Sequence, residues 1–203
     1  MGIYRIKPRF RQALGAAAES LANRGVTPDR VTSAGIVASG IGALAFALGH
    51  KHPRAYAAVP VAAFARITAN ALDGLVAERS GLARPAGELY NETADRLGDI
   101  AFFSGAATVP GVSPALALGA LAMAETASFV GIAAKAAGGN RRWDGPMGKP
   151  DRMLVLGLAA LVASLSSRPH RVINAGLGVI GGGAVVTARN RYRRAKRELE
   201  EPA

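Results

Sequence analysis

The sequence VTSAGIVASGIGALAFALG, residues 31–49, contains 19 residues and no charged side chain. A helix needs about 20 apolar residues to cross the hydrocarbon core of a bilayer. Further largely apolar segments follow, separated by proline and glycine, the residues that most often end helices. The sequence therefore predicts an all-α integral membrane protein with six transmembrane helices, near residues 31–49, 55–77, 86–109, 113–137, 152–167 and 170–188.

Basic residues are distributed unevenly between the two ends of these segments. The chain carries 25 Lys and Arg against 14 Asp and Glu, a formal net charge of +11. If both termini are cytoplasmic, 19 of the 25 basic residues lie on the cytoplasmic side and four on the outer side. The positive-inside rule then predicts an inner-membrane protein with cytoplasmic termini. Nucleic-acid binding would also explain a positive charge, but it leaves the apolar segments without a role, so we expect no nucleic-acid partner.

The N-terminal segment is too polar for a cleavable signal peptide. Instead, apolar residues recur there at helical spacing: Phe10, Leu14, Ala17 and Leu21. This pattern is typical of an amphipathic helix that lies on the membrane surface or packs on the bundle. We therefore predict a cytoplasmic amphipathic segment over residues 1–26, a membrane domain over 27–190 and a basic cytoplasmic tail over 191–203.

Acids and amides lie on one stripe of each of two successive predicted helices. Asn70 and Asp73 are three residues apart on the second helix, and Asn91, Asp95 and Asp99 follow at intervals of four on the third. A short connection makes these helices antiparallel neighbours, so the stripes should face each other near the cytoplasmic ends. Desolvated carboxylates there are costly, and a Mg²⁺ or Mn²⁺ ion between them, which prefers oxygen ligands, would offset that cost. The candidate metal ligands are Asn70, Asp73, Asn91, Asp95 and Asp99.

Some of these charges also have simpler interpretations. Asp95 could pair with Arg66 or Arg96. Glu125, within the fourth predicted helix, could pair with Lys135 or Arg66, or line the site. The matched spacing of the five candidates nevertheless favours a shared metal site.

The same spacing resembles the motif of the CDP-alcohol phosphotransferases, also called CDP-alcohol phosphatidyltransferases. That motif reads Asp-x2-Asp-Gly-x2-Ala-Arg-x8-Gly-x3-Asp-x3-Asp. Here every interval is kept, but the first and third aspartates are Asn70 and Asn91, and the arginine is Glu78. Residues 26–32, VTPDRVT, are similar to the family's Thr-Pro-Asn-x-Leu-Thr segment, so the resemblance covers most of the chain.

The resemblance implies transfer of a phosphatidyl group from a CDP-linked lipid, usually CDP-diacylglycerol (CDP-DAG), to an alcohol, with release of CMP in phospholipid biosynthesis. It further implies a metal-dependent enzyme, commonly a homodimer, whose last motif aspartate, Asp95, is the catalytic base. The nucleotide-binding residues that it implies are Arg66, Gly74, Ala77 and Gly87. The two amides should weaken metal binding, and Asp99 and Glu92 could compensate.

Residues 138–152, GGNRRWDGPMGKPDR, form a predicted cytoplasmic loop rich in basic residues. The loop resembles that of family members that use phosphorylated alcohols, which suggests a small acceptor such as glycerol phosphate or inositol phosphate. The candidate acceptor-phosphate ligands are Arg141, Arg142, Lys149 and Arg152. A loop that only sets membrane topology would carry the same charge.

Two other functions are compatible with the sequence. The amides at positions 70 and 91 also suit a catalytically impaired family member that binds a nucleotide-lipid or serves as a partner subunit. A small transporter with intramembrane acids is the third hypothesis, and the kept motif spacing disfavours it.

Overall fold

The computed structural model describes residues 7–200, with side chains from Phe10 onward, and this range contains helices and no strand. Two short helices come first, α1 (Lys7–Ala13) and α2 (Gly15–Asn23). The six longer helices are α3 (Pro28–Gly49), α4 (Ala58–Ser80), α5 (Pro85–Ala107), α6 (Pro114–Ala136), α7 (Lys149–Ala163) and α8 (Pro169–Glu200), with a 3₁₀ helix at Pro53–Ala57 before α4. The predicted all-α class is confirmed, and each predicted crossing corresponds to one long helix.

Local sequence determines where the long helices begin and end. Four of them start with proline, whose missing N–H costs nothing in the first turn: Pro28, Pro85, Pro114 and Pro169. The Thr27 hydroxyl accepts a hydrogen bond from the Arg30 N–H at 3.4 Å and so caps α3. Gly81, with a φ of 68°, ends α4 in the left-handed conformation that favours glycine.

Four helical segments in the described range are long and apolar enough to cross a membrane: Pro28–Gly49, Pro53–Ser80, Pro114–Ala136 and Pro169–Glu200. The chain is therefore a multi-pass membrane protein. α7 has 15 residues, which span only about 22 Å. α5 carries five charged residues between positions 88 and 99. Crossing by these two helices stays a prediction.

The helices pack around α3 and α8. α3 contacts both α4 and α5, α6 packs on α8, and α7 contacts α4 and α8. At Gly105 of α5 an added Cβ would lie 2.5 Å from the Ala43 Cα, so glycine permits the close approach of α3 and α5. α4 and α5 are neighbours as predicted, but they meet mainly through long side chains, as in the Arg66–Asp99 and Asn70–Asp95 hydrogen bonds. Bulky polar side chains occupy the space between them, and α3 holds both helices.

The N-terminal helices lie against the bundle. Ala18 of α2 is fully buried, and Leu14 and Leu21 pack on the cluster formed with Val31 and Leu75. The described part of the amphipathic segment therefore contacts protein through its apolar side. Residues 1–6 of that segment and 201–203 of the predicted tail lie outside the described residues, and α8 continues through the predicted boundary at residue 190.

Candidate active site

Asn70 and Asp73 of α4 face Asn91 and Asp95 of α5, and we call these four residues the motif cluster. The Asn70 Nδ2 donates to the Asp95 Oδ1 at 2.8 Å and lies 3.5 Å from the Asn91 Oδ1. The Asn91 Nδ2 donates to the Asp73 Oδ2. Each amide thus binds the aspartate of the opposite helix. The predicted proximity of the two stripes is confirmed, while metal binding stays a prediction.

Asp73 is buried, with 5% of its surface exposed. Its carboxylate accepts hydrogen bonds from the Thr32 hydroxyl at 2.9 Å, the Gly74 N–H at 2.6 Å and the Asn91 amide. All three donors are uncharged. Thr32 belongs to the segment of residues 26–32, so this segment helps to position the second motif residue, which the sequence alone did not indicate.

A lysine from α7 completes the polar site. The Lys149 Nζ contacts the Asp95 Oδ2 and lies 3.2 Å from the Asn70 Oδ1. Lys149 is the first residue of α7, and the preceding Gly148 N–H donates to the Asp151 Oδ2 at 3.0 Å, which fixes the start of the helix. Oxygen atoms of Asn70 and Asp95 therefore already converge on a cation.

Asp99 lies one turn beyond Asp95 and is fully buried. Its Oδ1 accepts from the Arg66 Nη1 at 2.6 Å, and its Oδ2 accepts from the Arg152 Nη2 at 2.7 Å. Arg66 also donates to the Asp95 main-chain oxygen at 2.7 Å. An added Cβ on Gly98 would lie 2.6 Å from the Arg66 Nε, so this glycine leaves room for the guanidinium.

This arrangement differs from the predicted one. The sequence predicts that Asp99 binds metal and that Arg66 binds nucleotide. Instead, both oxygens of Asp99 are bound by arginines behind the motif cluster, because Arg152 enters from α7 at that depth. We call Arg66, Asp99 and Arg152 the buried triad.

A cavity of about 830 Å³ opens beside the motif cluster, a volume typical of ligand sites. Its polar end includes the motif cluster, Lys149 and three of the four predicted nucleotide-binding residues, Gly74, Ala77 and Gly87. Its apolar end runs between α4 and α7 and is lined by Ala63, Phe64, Ile67, Met153, Leu158 and Leu161. The cavity thus has a polar, charged end and an apolar end.

Within residues 7–200, no group of three or more His, Cys, Asp or Glu side chains is arranged to hold a metal ion. Two of the four motif positions are amides, and Arg66 and Arg152 occupy both oxygens of Asp99. The oxygen donors that line the cavity at the motif are therefore two carboxylates and two amide carbonyls.

Sequence similarity to known proteins identifies the family of the chain. It is 32% identical over 84% of its length to the phosphatidylinositol phosphate synthase of Mycolicibacterium smegmatis, of which it covers 78%. It is 31% identical to the inner membrane protein YnbA of Escherichia coli strain K12, over 81% of this chain and 82% of that protein. The chain belongs to the CDP-alcohol phosphatidyltransferase family. No model of a known protein family matches it.

Solved structures show the fold expected of a CDP-alcohol phosphatidyltransferase. The phosphatidylinositol phosphate synthase of Mycobacterium tuberculosis with CDP-DAG bound matches with a TM-score of 0.77 and 23% identity, over 95% of this chain and 98% of that chain. The same protein in complex with manganese and citrate gives a TM-score of 0.75 and 24% identity, over 93% and 92%. The resemblance inferred from the motif is confirmed.

In this CDP-alcohol phosphatidyltransferase, ion pairs hold the basic loop between α6 and α7. Arg141 donates to Glu92 and stacks on the Trp143 ring, 3.9 Å from its centroid. Arg142 donates to Glu198 of α8. Of the four predicted phosphate-binding residues, Arg141 and Lys149 line the cavity, whereas Arg142 and Arg152 are directed elsewhere.

Neighbouring charges find partners other than the predicted ones. Glu125 pairs with Arg96 at 3.3 Å, rather than with Lys135 or Arg66. Lys135 pairs with Glu88 at 2.7 Å. The Asp95 carboxylate pairs with Lys149 instead of an arginine. These partners come from different helices, which spacing along one helix does not reveal.

Arg191 of α8 is a residue whose role the sequence did not indicate. It is 4% exposed and donates to the main-chain oxygens of Ala127 at 2.7 Å, Asp144 at 2.8 Å and Trp143 at 3.1 Å. It was expected among the solvated basic residues of the tail. A signal does exist, because Arg191 continues the buried stripe of Ile180, Ala184 and Thr187 at helical spacing.

Arg191→Met is expected to loosen the loop, because the carbonyls of Trp143 and Asp144 lose their donor. Trypsin should then cleave after Arg141 and Arg142 faster than in the wild type, and turnover should fall about ten- to a hundredfold as Arg141 loses its placement. Arg193→Met, at an exposed position of the same helix, is the control and should change neither quantity. Equal cleavage rates in the two variants would contradict this role.

Proposed function

We propose that the chain is a Mg²⁺- or Mn²⁺-dependent phosphatidyltransferase. It moves a phosphatidyl group from a CDP-linked lipid such as CDP-DAG to a small polar alcohol and releases CMP in phospholipid biosynthesis. The observation that carries this proposal is the cavity, which has the motif cluster at one end and an apolar groove at the other. A CDP-lipid has the same two parts, a charged nucleotide diphosphate and acyl chains. Similarity to a phosphatidylinositol phosphate synthase supports this reaction class.

The motif cluster fits a divalent cation. Its carboxylate and amide oxygens are the ligand types that Mg²⁺ and Mn²⁺ prefer. Oxygens of Asn70 and Asp95 already contact one cation, the Lys149 ammonium. The proposed ligands are Asn70, Asp73, Asn91 and Asp95. When bound, the ion supplies positive charge that stabilises the diphosphate as the bond to CMP breaks.

Asp95 is the proposed base. The acceptor hydroxyl gives its proton to the Asp95 carboxylate while its oxygen bonds to the phosphorus that carries the diacylglycerol. The bond between that phosphorus and the CMP oxygen breaks, and CMP leaves with the electron pair. Asn70 orients the carboxylate and Arg66 fixes the main chain at the same residue. A base placed in this way contributes about 10²–10⁴ to the rate.

The nucleotide is proposed to lie along Gly74, Ala77 and Gly87, which lack bulk. Glu78, in place of the motif arginine, accepts two hydrogen bonds from the Arg11 Nη2 at 2.7 and 2.8 Å. The Arg11 Nη1 lies 4.0 Å from the position of a Cβ on Gly74. The Arg11 guanidinium therefore lies beside Gly74 and Glu78, where the motif arginine is missing.

A phosphorylated polyol, such as glycerol phosphate or inositol phosphate, is the proposed acceptor. Arg141 and Lys149 supply positive charge on the cavity wall. Arg142 and Arg152 support the loop through their pairs with Glu198 and Asp99.

All six long helices are proposed to cross the inner membrane, with both termini and the active site cytoplasmic. The ends of α4 and α5 that carry the motif cluster lie with the loop at residues 138–148, where basic residues concentrate. A homodimer, common in the family, is part of the proposal. The amphipathic segment and the basic tail would both lie at the inner surface.

Cysteine labelling tests the topology directly, because the chain contains no cysteine. In intact cells, Ser167→Cys, in the turn before α8, should react with a membrane-impermeant maleimide. Ala137→Cys, at the end of α6, should react only after the membrane is permeabilised. The reverse pattern would place the active site outside and overturn the proposed orientation.

One alternative has a specific observation in its favour. Amides occupy two motif positions and Lys149 pairs with Asp95, as suits a catalytically impaired member that binds a nucleotide-lipid or a partner subunit. Purified protein incubated with CDP-DAG, Mn²⁺ and a panel of alcohols separates the two functions. Release of CMP that depends on one alcohol supports the enzyme. Bound CDP-DAG without release of CMP supports the alternative.

A further inference from the structure

We infer that Lys149 is a built-in cation of the motif cluster and that the cluster consequently takes one divalent ion rather than two. This inference deepens the proposed function, since the ion and the ammonium would together face the diphosphate. It rests on the charge of the cluster, on the unequal partners of its two carboxylates and on the fixed position of Lys149.

The charge of the cluster limits how many ions it can hold. Two carboxylates stand where the family motif has four, and Lys149 brings one positive charge. The net charge is therefore −1. One divalent ion changes it to +1, and a second would raise it to +3 in a poorly solvated place, where unpaired charge is costly.

The two carboxylates have different partners. Asp95 has a protein cation, because the Lys149 Nζ contacts its Oδ2. Asp73 is equally buried, yet in the part of the chain that the structure describes it takes part in no direct ion pair, and its three hydrogen-bond donors are uncharged. A buried carboxylate without a cation is expensive. Asp73 is therefore the carboxylate whose charge the metal ion balances, while Asp95 is shared between the ion and Lys149.

Lys149 is held in place rather than free to swing away. Its side chain is 14% exposed, and it starts α7 directly after the Gly148–Asp151 hydrogen bond. Lys149 also lines the cavity, so its ammonium can contact a phosphate oxygen of the diphosphate while it stays near Asp95.

Titration of Mn²⁺ into the purified full chain, followed by electron paramagnetic resonance, tests the inference. The wild type should bind one Mn²⁺ per chain. Lys149→Met should bind Mn²⁺ at least about tenfold more tightly, because a like charge a few ångströms away is removed. Structural damage would weaken Mn²⁺ binding, whereas loss of the Lys149 charge should strengthen it. The direction of the change in affinity therefore distinguishes the two.

Matched variants complete the experiment. Lys149→Arg keeps the charge and should bind Mn²⁺ as the wild type does. Lys135→Met removes an exposed cation that pairs with Glu88 and should leave the affinity unchanged. Lys149→Met combined with Asn70→Asp and Asn91→Asp should bind two Mn²⁺ ions, with the broadened spectrum of a coupled pair.

Two Mn²⁺ ions in the wild type, none at all, or an affinity in Lys149→Met that is unchanged or weaker would each overturn the inference. The titration contains no CDP-lipid and no alcohol. A chain that never releases CMP can therefore still show the expected stoichiometry, and failure of the proposed function is distinguishable from failure of this inference.

Discussion

Asp95→Asn is expected to lower the rate of CMP release by at least about a thousandfold at saturating CDP-DAG and acceptor. The change keeps the shape of the side chain but removes the proposed base, whose contribution is about 10²–10⁴, and one of the two carboxylates of the motif cluster. The amide oxygen can still accept from Asn70, whereas Lys149 loses its carboxylate partner, so the Tm of the variant is measured beside its rate. The measurement is the release of CMP from CDP-DAG by purified protein.

Asp73→Asn should also inactivate the enzyme, but for a different reason. This variant loses affinity for the metal ion, so high Mn²⁺ should recover part of its rate, whereas no Mn²⁺ concentration should recover Asp95→Asn. Glu19→Gln is the control, since Glu19 is an exposed acid that pairs with Arg79 at 3.3 Å. A rate near that of the wild type in Asp95→Asn would mean that another group takes the proton.

The sequence could predict the motif cluster because helical periodicity is a local property. Residues at intervals of three and four share a face whatever the helix packs against, so Asn70 and Asp73 had to lie on one stripe, and Asn91 and Asp95 on another. The short connection between α4 and α5 then brought the stripes to the same end of the bundle. Gly74, Ala77 and Gly87, which the family resemblance rather than periodicity suggested, line the cavity wall.

Periodicity did not reveal which third element fills the space between two helices. Lys149 and Arg152 reach Asp95 and Asp99 from more than 50 residues away in sequence, by the path of the loop between α6 and α7. The family resemblance marked both side chains as phosphate ligands. The structure gives each of them a carboxylate partner, because positive charge near buried acids is drawn to those acids.

The sequence spacing also did not reveal how deep in the bundle each residue lies. Asp99 shares a stripe with Asp95 and was therefore predicted to share its role. One helical turn moves it about 5.4 Å along the axis, out of the cavity and between two guanidinium groups. Spacing alone shows which residues share a face of a helix. It does not show which residues of other helices surround each turn.

Asp99→Asn is expected to destabilise the protein by about 3–5 kcal/mol, the cost of breaking a buried ion pair from one side. Asp99 is fully buried, and the side chains of Arg66 and Arg152 are 3% and 1% exposed. The amide preserves volume but leaves two buried guanidinium groups without their carboxylate. The measurement is the fall in Tm of the purified chain, together with its yield of folded protein.

Asp29→Asn is the matched control. Asp29 pairs with Arg84 at 2.5 Å, but the two side chains are 42% and 59% exposed, and an exposed pair contributes less than about 1 kcal/mol. If both variants lose the same stability, then water reaches the buried triad and the expected cost is wrong.

A third variant separates charge from packing in the buried triad. Asp99→Leu combined with Arg66→Met and Arg152→Met removes all three charges and retains apolar volume, and such replacements are often neutral or stabilising. It should recover most of the stability lost in Asp99→Asn. It should not recover CMP release, because the Arg66 guanidinium also holds the Asp95 main-chain oxygen at 2.7 Å and thereby positions the proposed base. Stable protein with low activity would show that the triad contributes through the placement of Asp95 rather than through stability of the fold.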